Sequence, residues 1–338
     1  MHTHNPVSLF NAKDLETDQE VRWCPGCGDY SILNSMKKIL PELGRPRHEF
    51  VFISGIGCSS RFPYYINTYG MHSIHGRAAA IATGLKTTRP ELSVWMITGD
   101  GDSLSIGGNH LIHTLRRNPD INILLFNNQI YGLTKGQFSP TSEEGKITKS
   151  SPAGTVDHPF NPLALCLGAG ATFIARTTDK DGKHQQEIYK RAYYHKGTSL
   201  VEIYQNCNVF NDGAFEVFTD KSTKALKGLY LEHGKPLLFD NNTKGVKLDG
   251  LKPVVVDLAD FSADDCMVHD ETDKTKAFIL NSFFDDEALP RPFGIFYIND
   301  RVTTFDEAMN QQLSKDTVAD KKSAFNAFLK SKSYWEVR

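Results

Sequence analysis

The sequence predicts an α/β fold, a doubly wound and mostly parallel sheet with helices on both faces. Apolar, β-rich runs alternate with segments of helical period from about residue 29 to residue 206. Several runs are apolar without a break, the pattern of strands buried on both faces of a parallel sheet. The residues that bear chemistry gather just past the ends of those runs, where open sheets of this kind take their ligands.

In chain order, DYSILNSMKKIL (29–40) has helical period and leads to the strand EFVFIS (49–54). HGRAAAIATGLKTT (75–88) is the helix before the strand LSVWMIT (92–98), and LIHTLRR (111–117) the helix before INILLFNN (121–128). Pro119-Asp120 punctuates the step into that third strand. GLTKGQFSPTSEEGKITKSSPAGTVDHPF (132–160), rich in Gly, Ser, Thr and Pro, reads as one long loop, a length associated with function or mobility. ATFIAR (171–176), the helix QEIYKRAYYHK (186–196) and SLVEIY (199–204) complete the series. Beyond Cys207 the character changes. KPVVVDL (252–258) and PFGIFYI (292–298) are short strand candidates among many acidic residues, two helices end the chain, and no chemical motif stands out. The expected organisation is an N-terminal segment (1–20), a domain that carries the chemistry (21–215), and a C-terminal extension (216–338) docking on the core or on a partner chain.

Composition narrows the function. Among 338 residues 40% are hydrophobic and 23% charged, with a formal net charge of −2, so no basic excess points to nucleic acid. The first twenty residues hold no apolar core of signal-peptide type, and no stretch nears the ~18 apolar residues of a membrane helix. A cytosolic protein is expected. There a disulfide framework is unfavourable, so unusual spacing among the six cysteines suggests metal or redox chemistry.

The strand LSVWMIT runs into Gly99-Asp100-Gly101-Asp102. Glycines permit close backbone approach to a phosphate, and a carboxylate holds a divalent cation. A lone Asp-Gly is most often a plain turn. Here Asn127-Asn128 ends the next strand, and adjacent parallel strands would bring Asp100 and Asn128 together. A carboxylate, a carboxamide oxygen and a backbone carbonyl suit Mg²⁺ beside two phosphate oxygens. The combination resembles the diphosphate-binding motif of thiamine diphosphate enzymes. That resemblance implies Asp100 and Asn128 as side-chain ligands of Mg²⁺ and the Ile130 carbonyl as the third.

Cys24 and Cys27 stand in RWCPGCGDY, a spacing shared by thioredoxin-like, zinc and iron–sulfur proteins. No strand precedes the pair, which counts against the thioredoxin reading. GIGCSS sets Cys58 past the first strand, and EIYQNCN sets Cys207 past the last, so both fall on the edge that carries GDGD. Four thiolates beside a cofactor site suit a [4Fe–4S] cluster, whereas zinc would serve structure and carry no electrons. Cys166, in the apolar PLALCLGAG, reads as core, and Cys266 in ADDCMVHD has no ligand-like company.

Together WCPGCG, GIGCSS, SIHGRA, TGDGDSLSIGGNH and NNQIYGLTKGQ resemble the β subunit of 2-oxoacid:ferredoxin oxidoreductases, most of all the 2-oxoglutarate (KorB-type) branch. The similarity spans about residues 20 to 212. It implies that Ile56, Gly57, Cys58, Ser59, His75, Gly101, Asp102, Gly132 and Leu133 line thiamine diphosphate. It also implies that a Glu activating the cofactor comes from an α subunit, in a heterotetramer of two α and two β chains. Ferredoxin would carry electrons away and coenzyme A would receive the acyl group. His75 either hydrogen-bonds a phosphate or the substrate, or is a structural residue before its helix. Arg61 and Lys135 are the cations placed to hold the distal carboxylate of 2-oxoglutarate, which an Arg can grip with two hydrogen bonds. A pyruvate site needs no such cation. The bland reading of Arg61 is a surface salt bridge, and Lys135 could equally orient coenzyme A. A non-redox thiamine enzyme would leave the cysteines unexplained, and a zinc-bearing scaffold would not need Asp100 and Asn128.

Overall fold

The computed structural model describes residues 8–315, 320–331 and 334–335; residues 1–7 of the expected N-terminal segment lie outside it. The first six strands are β1 (Phe50–Ser54), β2 (Tyr69–His72), β3 (Ser93–Gly99), β4 (Ile121–Asn127), β5 (Phe173–Thr178) and β6 (Ser199–Tyr204), and all but β2 belong to the expected series. Five more come later: β7 (Gly228–Tyr230), β8 (Leu238–Phe239), β9 (Lys244–Asp249), β10 (Lys252–Asp257) and β11 (Arg291–Ile298). Eight of them form one sheet in the order β2-β1-β3-β4-β6-β5-β11-β7, and β10-β9-β8 form a small antiparallel sheet. Every neighbouring pair in the large sheet is parallel except β11 with β5.

The unbroken apolar runs are explained by what covers them. In β1, Val51 and Ile53 enter one core while Phe50 and Phe52 enter the other, and β4 divides Ile123 and Leu125 from Leu124 and Phe126 in the same way. One face is covered by α2 (Ala78–Thr88), α3 (Gly108–Arg117) and α4 (Pro162–Gly168); the other by α1 (Asp29–Ile39) and α5 (Gly182–Tyr194).

Between residues 29 and 206 two strands depart from the reading of the sequence, and after Cys207 the short strands β7, β8 and β9 were not among those expected. β2 was not anticipated, because an edge strand reading Tyr-Gly-Met-His, mostly exposed, shows no apolar period. β5 runs two residues past ATFIAR, since Thr177 and Thr178 stay in register with Ile203 and Tyr204 of β6. Residues 132–160 contain only isolated bridges, such as Tyr131 with Gln137 and Thr148 with Ser151 at its margins and middle.

After residue 215 come two single-turn helices, α6 (Glu216–Thr219) and α7 (Lys224–Lys227), then β7 to β10, α8 (Lys274–Ser282), β11, α9 (Phe305–Ser314) and α10 (Lys321–Lys330). β11 and β7 extend the large sheet, and α8 joins the core on the α2 face. α9 packs beside α2, and the Asp306 carboxylate accepts from Asp120 N–H at 2.9 Å. α10 turns Phe325, Phe328 and Leu329 outward.

Candidate active site and cysteine pocket

The carboxyl ends of β1, β3, β4 and β6 converge on one edge of the sheet. β3 passes through Asp100 into a wide π-type turn (Asp102–Ile106) and then α3, a helical irregularity common at functional sites. Asp102 is buried, and its carboxylate organises the loops around it. Oδ1 accepts from Ile56 N–H (3.0 Å) and Gly76 N–H (2.7 Å), and Oδ2 accepts from the Thr98 hydroxyl (2.8 Å). His75 Nδ1 lies 2.6 Å from Oδ1. Donating there leaves Nε2 for the large cleft of ≈ 980 Å³ that His75 lines with Tyr131, Gln137 and Ser139. Tyr131 donates to the Gly101 carbonyl at 3.1 Å, and a Cβ on Gly101 would stand 2.1 Å from its ring, so only glycine fits.

Asp100 is buried at the end of β3. Its Oδ2 accepts from the hydroxyls of Ser139 (2.5 Å) and Thr141 (2.6 Å). Burial raises its carboxyl above the usual carboxylate range, while those hydroxyls and nearby backbone N–H groups pull the other way. The Thr141 oxygen also stands 2.9 Å from Asn127 Oδ1. One hydroxyl proton cannot serve both acceptors. Asn127 Oδ1 also accepts from Gln129 N–H (3.2 Å), so the Thr141 proton goes to Asp100, and oxygens of Asp100, Thr141 and Asn127 stand together as the kind of donor set a hard cation takes. Asn127 is held from behind: its Nδ2 donates to Glu202 Oε1 (2.8 Å), and Glu202 Oε2 pairs with Arg176 (2.7 Å).

Asn128 faces a different neighbour. Its Nδ2 donates to Gln205 Oε1 at 2.8 Å, and its Oδ1 accepts from Ile130 N–H at 3.2 Å across a turn with Gln129 in the left-handed region. The structure thus links Asn127 to Asp100 through Thr141, and Asn128 to the neighbouring cysteine pocket.

That pocket, ≈ 200 Å³, is lined by Cys24, Cys27, Cys58 and Cys207, together with Arg61, Asn128, Gly132, Leu133 and Lys135. A Cβ on Gly132 would lie 3.6 Å from the Cys58 sulfur and 3.7 Å from that of Cys207. The Pro-Gly turn brings Cys27 N–H to the Cys24 carbonyl (3.0 Å), and the Trp23 indole donates to the Cys58 carbonyl (2.7 Å). Burial, the Asp29 carboxylate and then Cys207 push the Cys58 thiol up to about 12; burial and Asp29 raise Cys27 as well. Thiols so placed hold their protons until a metal displaces them. A single zinc requires four sulfurs about 2.3 Å from one point. Among the described residues no group of three His, Cys, Asp or Glu closes on a point in that way. Four thiols lining one pocket are also the donor set of a [4Fe–4S] cluster, and the side chains as they stand close on neither kind of centre. Cys166 is buried in the core on the α2 face, and Cys266 is buried against the small sheet.

The two cations, Arg61 and Lys135, line this pocket beside the cysteines. Arg61 has no carboxylate partner among the described residues; its nearest polar contact is the Tyr65 hydroxyl at 3.5 Å. Lys135 is exposed, with φ of 74°, a left-handed backbone that costs a non-glycine residue energy. Ser59 is buried at the start of the turn after Cys58, and Gly57 has φ of 130°. The sequence reading missed Asn127, Ser139, Thr141 and Gln205 as site residues. The available signal for two of them was three hydroxyl residues in four positions, Ser139 to Ser142, inside an otherwise irregular loop.

The family described as thiamine pyrophosphate enzyme, C-terminal TPP binding domain, matches residues 55–203. The 2-oxoglutarate oxidoreductase subunit KorB of Mycobacterium tuberculosis is 51% identical over 96% of this chain and 88% of its own. A 2-oxoacid:ferredoxin oxidoreductase subunit beta from Saccharolobus solfataricus is 36% identical over 86% of each chain. Among solved structures, a 2-oxoglutarate:ferredoxin oxidoreductase from Magnetococcus marinus, with 2-oxoglutarate, coenzyme A and succinyl-CoA bound, superposes with a TM-score of 0.77. It is 32% identical, over 97% of this chain and 98% of that one. The motif resemblance and the mostly parallel α/β sheet are both borne out, and the chain belongs to the β-subunit family of the 2-oxoacid:ferredoxin oxidoreductases.

Proposed function

We propose that this chain is the β subunit of an enzyme that converts 2-oxoglutarate, coenzyme A and oxidised ferredoxin to succinyl-CoA, CO₂ and reduced ferredoxin, and the reverse. The observation that carries the reading is the shared pocket. Cys24, Cys27, Cys58 and Cys207 line it beside Asn128 and beside Arg61 and Lys135, so four thiols, a carboxamide and two cations meet at one strand edge, which supports a cluster, a cofactor and an anionic substrate held together. Bound there, thiamine diphosphate supplies an electron sink for decarboxylation, Mg²⁺ clamps its diphosphate, and a [4Fe–4S] cluster takes electrons singly. The chain's own residues do the rest. Asp100, Asn128 and the Ile130 carbonyl would hold the metal once the Asn128 oxygen turns from the Ile130 N–H, with Thr141 and Asn127 fixing the Asp100 carboxylate from its other side; Gly101 lets the diphosphate approach the backbone. Ile56, Gly57, Ser59, Gly132 and Leu133 line the cofactor between the two sites. Asp102 keeps the loops of β1 and β3 together and orients His75, whose Nε2 presents a proton or accepts one in the cleft. The family's activating Glu comes from the α subunit, in an assembly of two α and two β chains. The exposed stripe Phe325, Phe328 and Leu329 on α10, spaced to share a helix face, supports such a partner. Among the described residues no helix is long and apolar enough to cross a membrane, which agrees with a cytoplasmic site of action.

The test is anaerobic purification with the α chain, followed by iron, zinc and thiamine analysis. A brown protein holding about four irons per β chain, bleached by 2-oxoglutarate with coenzyme A, is expected. A colourless zinc protein would overturn the reading. Arg61→Met should raise the KM for 2-oxoglutarate about 10- to 100-fold, the cost of one charge-assisted hydrogen bond, and leave any slow reaction with pyruvate unchanged. Steady-state kinetics with both acids check it; a cluster bleached by pyruvate alone would remove Arg61 from this role.

A further inference from the structure

Gln205 lies between the two cofactor sites and belongs to neither set of ligands. It is the first residue after β6, is 1% exposed, and its backbone N–H donates to the Asn127 carbonyl at 2.9 Å, so its place is fixed by the sheet. Its carboxamide has one partner at its oxygen and two at its nitrogen. Oε1 accepts from Asn128 Nδ2 at 2.8 Å, while Nε2 donates to Cys27 Sγ at 3.3 Å and to the Asn206 carbonyl at 2.5 Å. The opposite flip would set two NH₂ groups face to face at Asn128 and turn an acceptor oxygen onto the sulfur. Gly28 makes the room: a Cβ there would come within 3.0 Å of Gln205 Cγ.

We propose that Gln205 is a positioning residue joining the two sites: its N–H tunes the cluster through the Cys27 sulfur, and its oxygen fixes the flip of the Asn128 carboxamide at the metal. The proposal rests on the cluster and Mg²⁺ assignments made above. The physical basis is electrostatic. A donor aimed at a cluster sulfur favours the more electron-rich state, so it raises the reduction potential. The same carboxamide occupies Asn128 Nδ2, so a cation can be faced only by Oδ1, through the lone pair that the Ile130 N–H does not use. Electron acceptance and metal binding are thus set by one side chain.

The experiment uses the α–β complex with Gln205→Leu, which keeps the bulk, and Gln205→Glu, which replaces the donor with an acceptor. Gln205→Leu should shift the one-electron equilibrium about tenfold towards the oxidised cluster, a midpoint about 59 mV lower. Gln205→Glu should lower it further. Mn²⁺, read by its magnetic resonance spectrum in the presence of thiamine diphosphate, should bind about tenfold more weakly to Gln205→Leu, as losing an outer partner of a ligand does. Unmoved midpoints in variants with their full iron would overturn the cluster role, and unmoved Mn²⁺ affinity the metal role. Should neither variant assemble a cluster, the wild type decides. With ¹⁵N in glutamine side chains only, the reduced cluster must show a ¹⁵N coupling in pulsed electron resonance, and its absence overturns the proposal. Wild type without iron would instead refute the four-cysteine reading itself.

Discussion

Cys58→Ala is expected to yield a protein without the brown absorbance, with iron well below four atoms per β chain and ferredoxin reduction at least about a hundredfold below wild type. Cys58 follows β1 by a short loop, and its sulfur shares with that of Cys207 the space in front of Gly132. No other cysteine can replace it: Cys166 and Cys266 are buried away from the pocket. Outer-shell partners of metal ligands cost 10- to 100-fold when removed, so a direct ligand should cost more. Thiamine diphosphate should still bind, because the contacts of Asp100 with Ser139 and Thr141 do not involve Cys58. Iron content, visible spectrum, bound thiamine and ferredoxin reduction, measured on one preparation, separate the two losses. Cys166→Ala is the control. It removes a core sulfur and should leave colour and activity in place, so a colourless Cys166→Ala protein, or a brown Cys58→Ala one, would contradict the assignment.

How far such a site is legible in sequence depends on whether position follows from local pattern. Cys58 and Cys207 were placed because each lies a few residues past an apolar run, and the end of a run is visible without a structure. Cys24 and Cys27 precede the first strand, and only the folded chain carries them to the other two. Asn127 and Asn128 show the limit more sharply. Adjacent residues at a strand end point to opposite sides, and which one turns towards Asp100 depends on the path of the loop through Gln129. Ser139 and Thr141 reach Asp100 only because the loop folds back over the edge, and nothing in a run of Gly, Ser and Pro encodes that route. β11 was readable as an apolar strand, but its antiparallel place beside β5 was not. Pairing between segments so distant in the chain leaves no local trace.

Arg176→Met should destabilise the protein by about 3–5 kcal/mol, the cost of leaving a buried charge without its partner. Arg176 on β5 and Glu202 on β6 stand directly opposite each other in register, and both are shut away from water. The guanidinium bonds Glu202 at 2.7 Å and the Pro292 carbonyl at 3.3 Å, with its carbon 5.1 Å from the Tyr204 ring and 5.2 Å from that of Phe296. Methionine fills much of that volume, so loss of packing is the smaller part of the effect. The larger part is the stranded Glu202 carboxylate. If so, Arg176→Met/Glu202→Gln should recover most of the lost stability, since a neutral amide keeps the shape without the charge. Thermal unfolding of the two variants against wild type decides it: equal melting temperatures for the single and double variants would mean that packing, not charge, is what Arg176 provides. The pair also reaches the site. Glu202 holds Asn127, Asn127 faces Thr141, and Thr141 hydrogen-bonds Asp100. A charge removed in the middle of the sheet should therefore be felt as weaker Mn²⁺ binding at its edge, in Glu202→Gln as well as in Arg176→Met, because each link in that chain sets the orientation of the next.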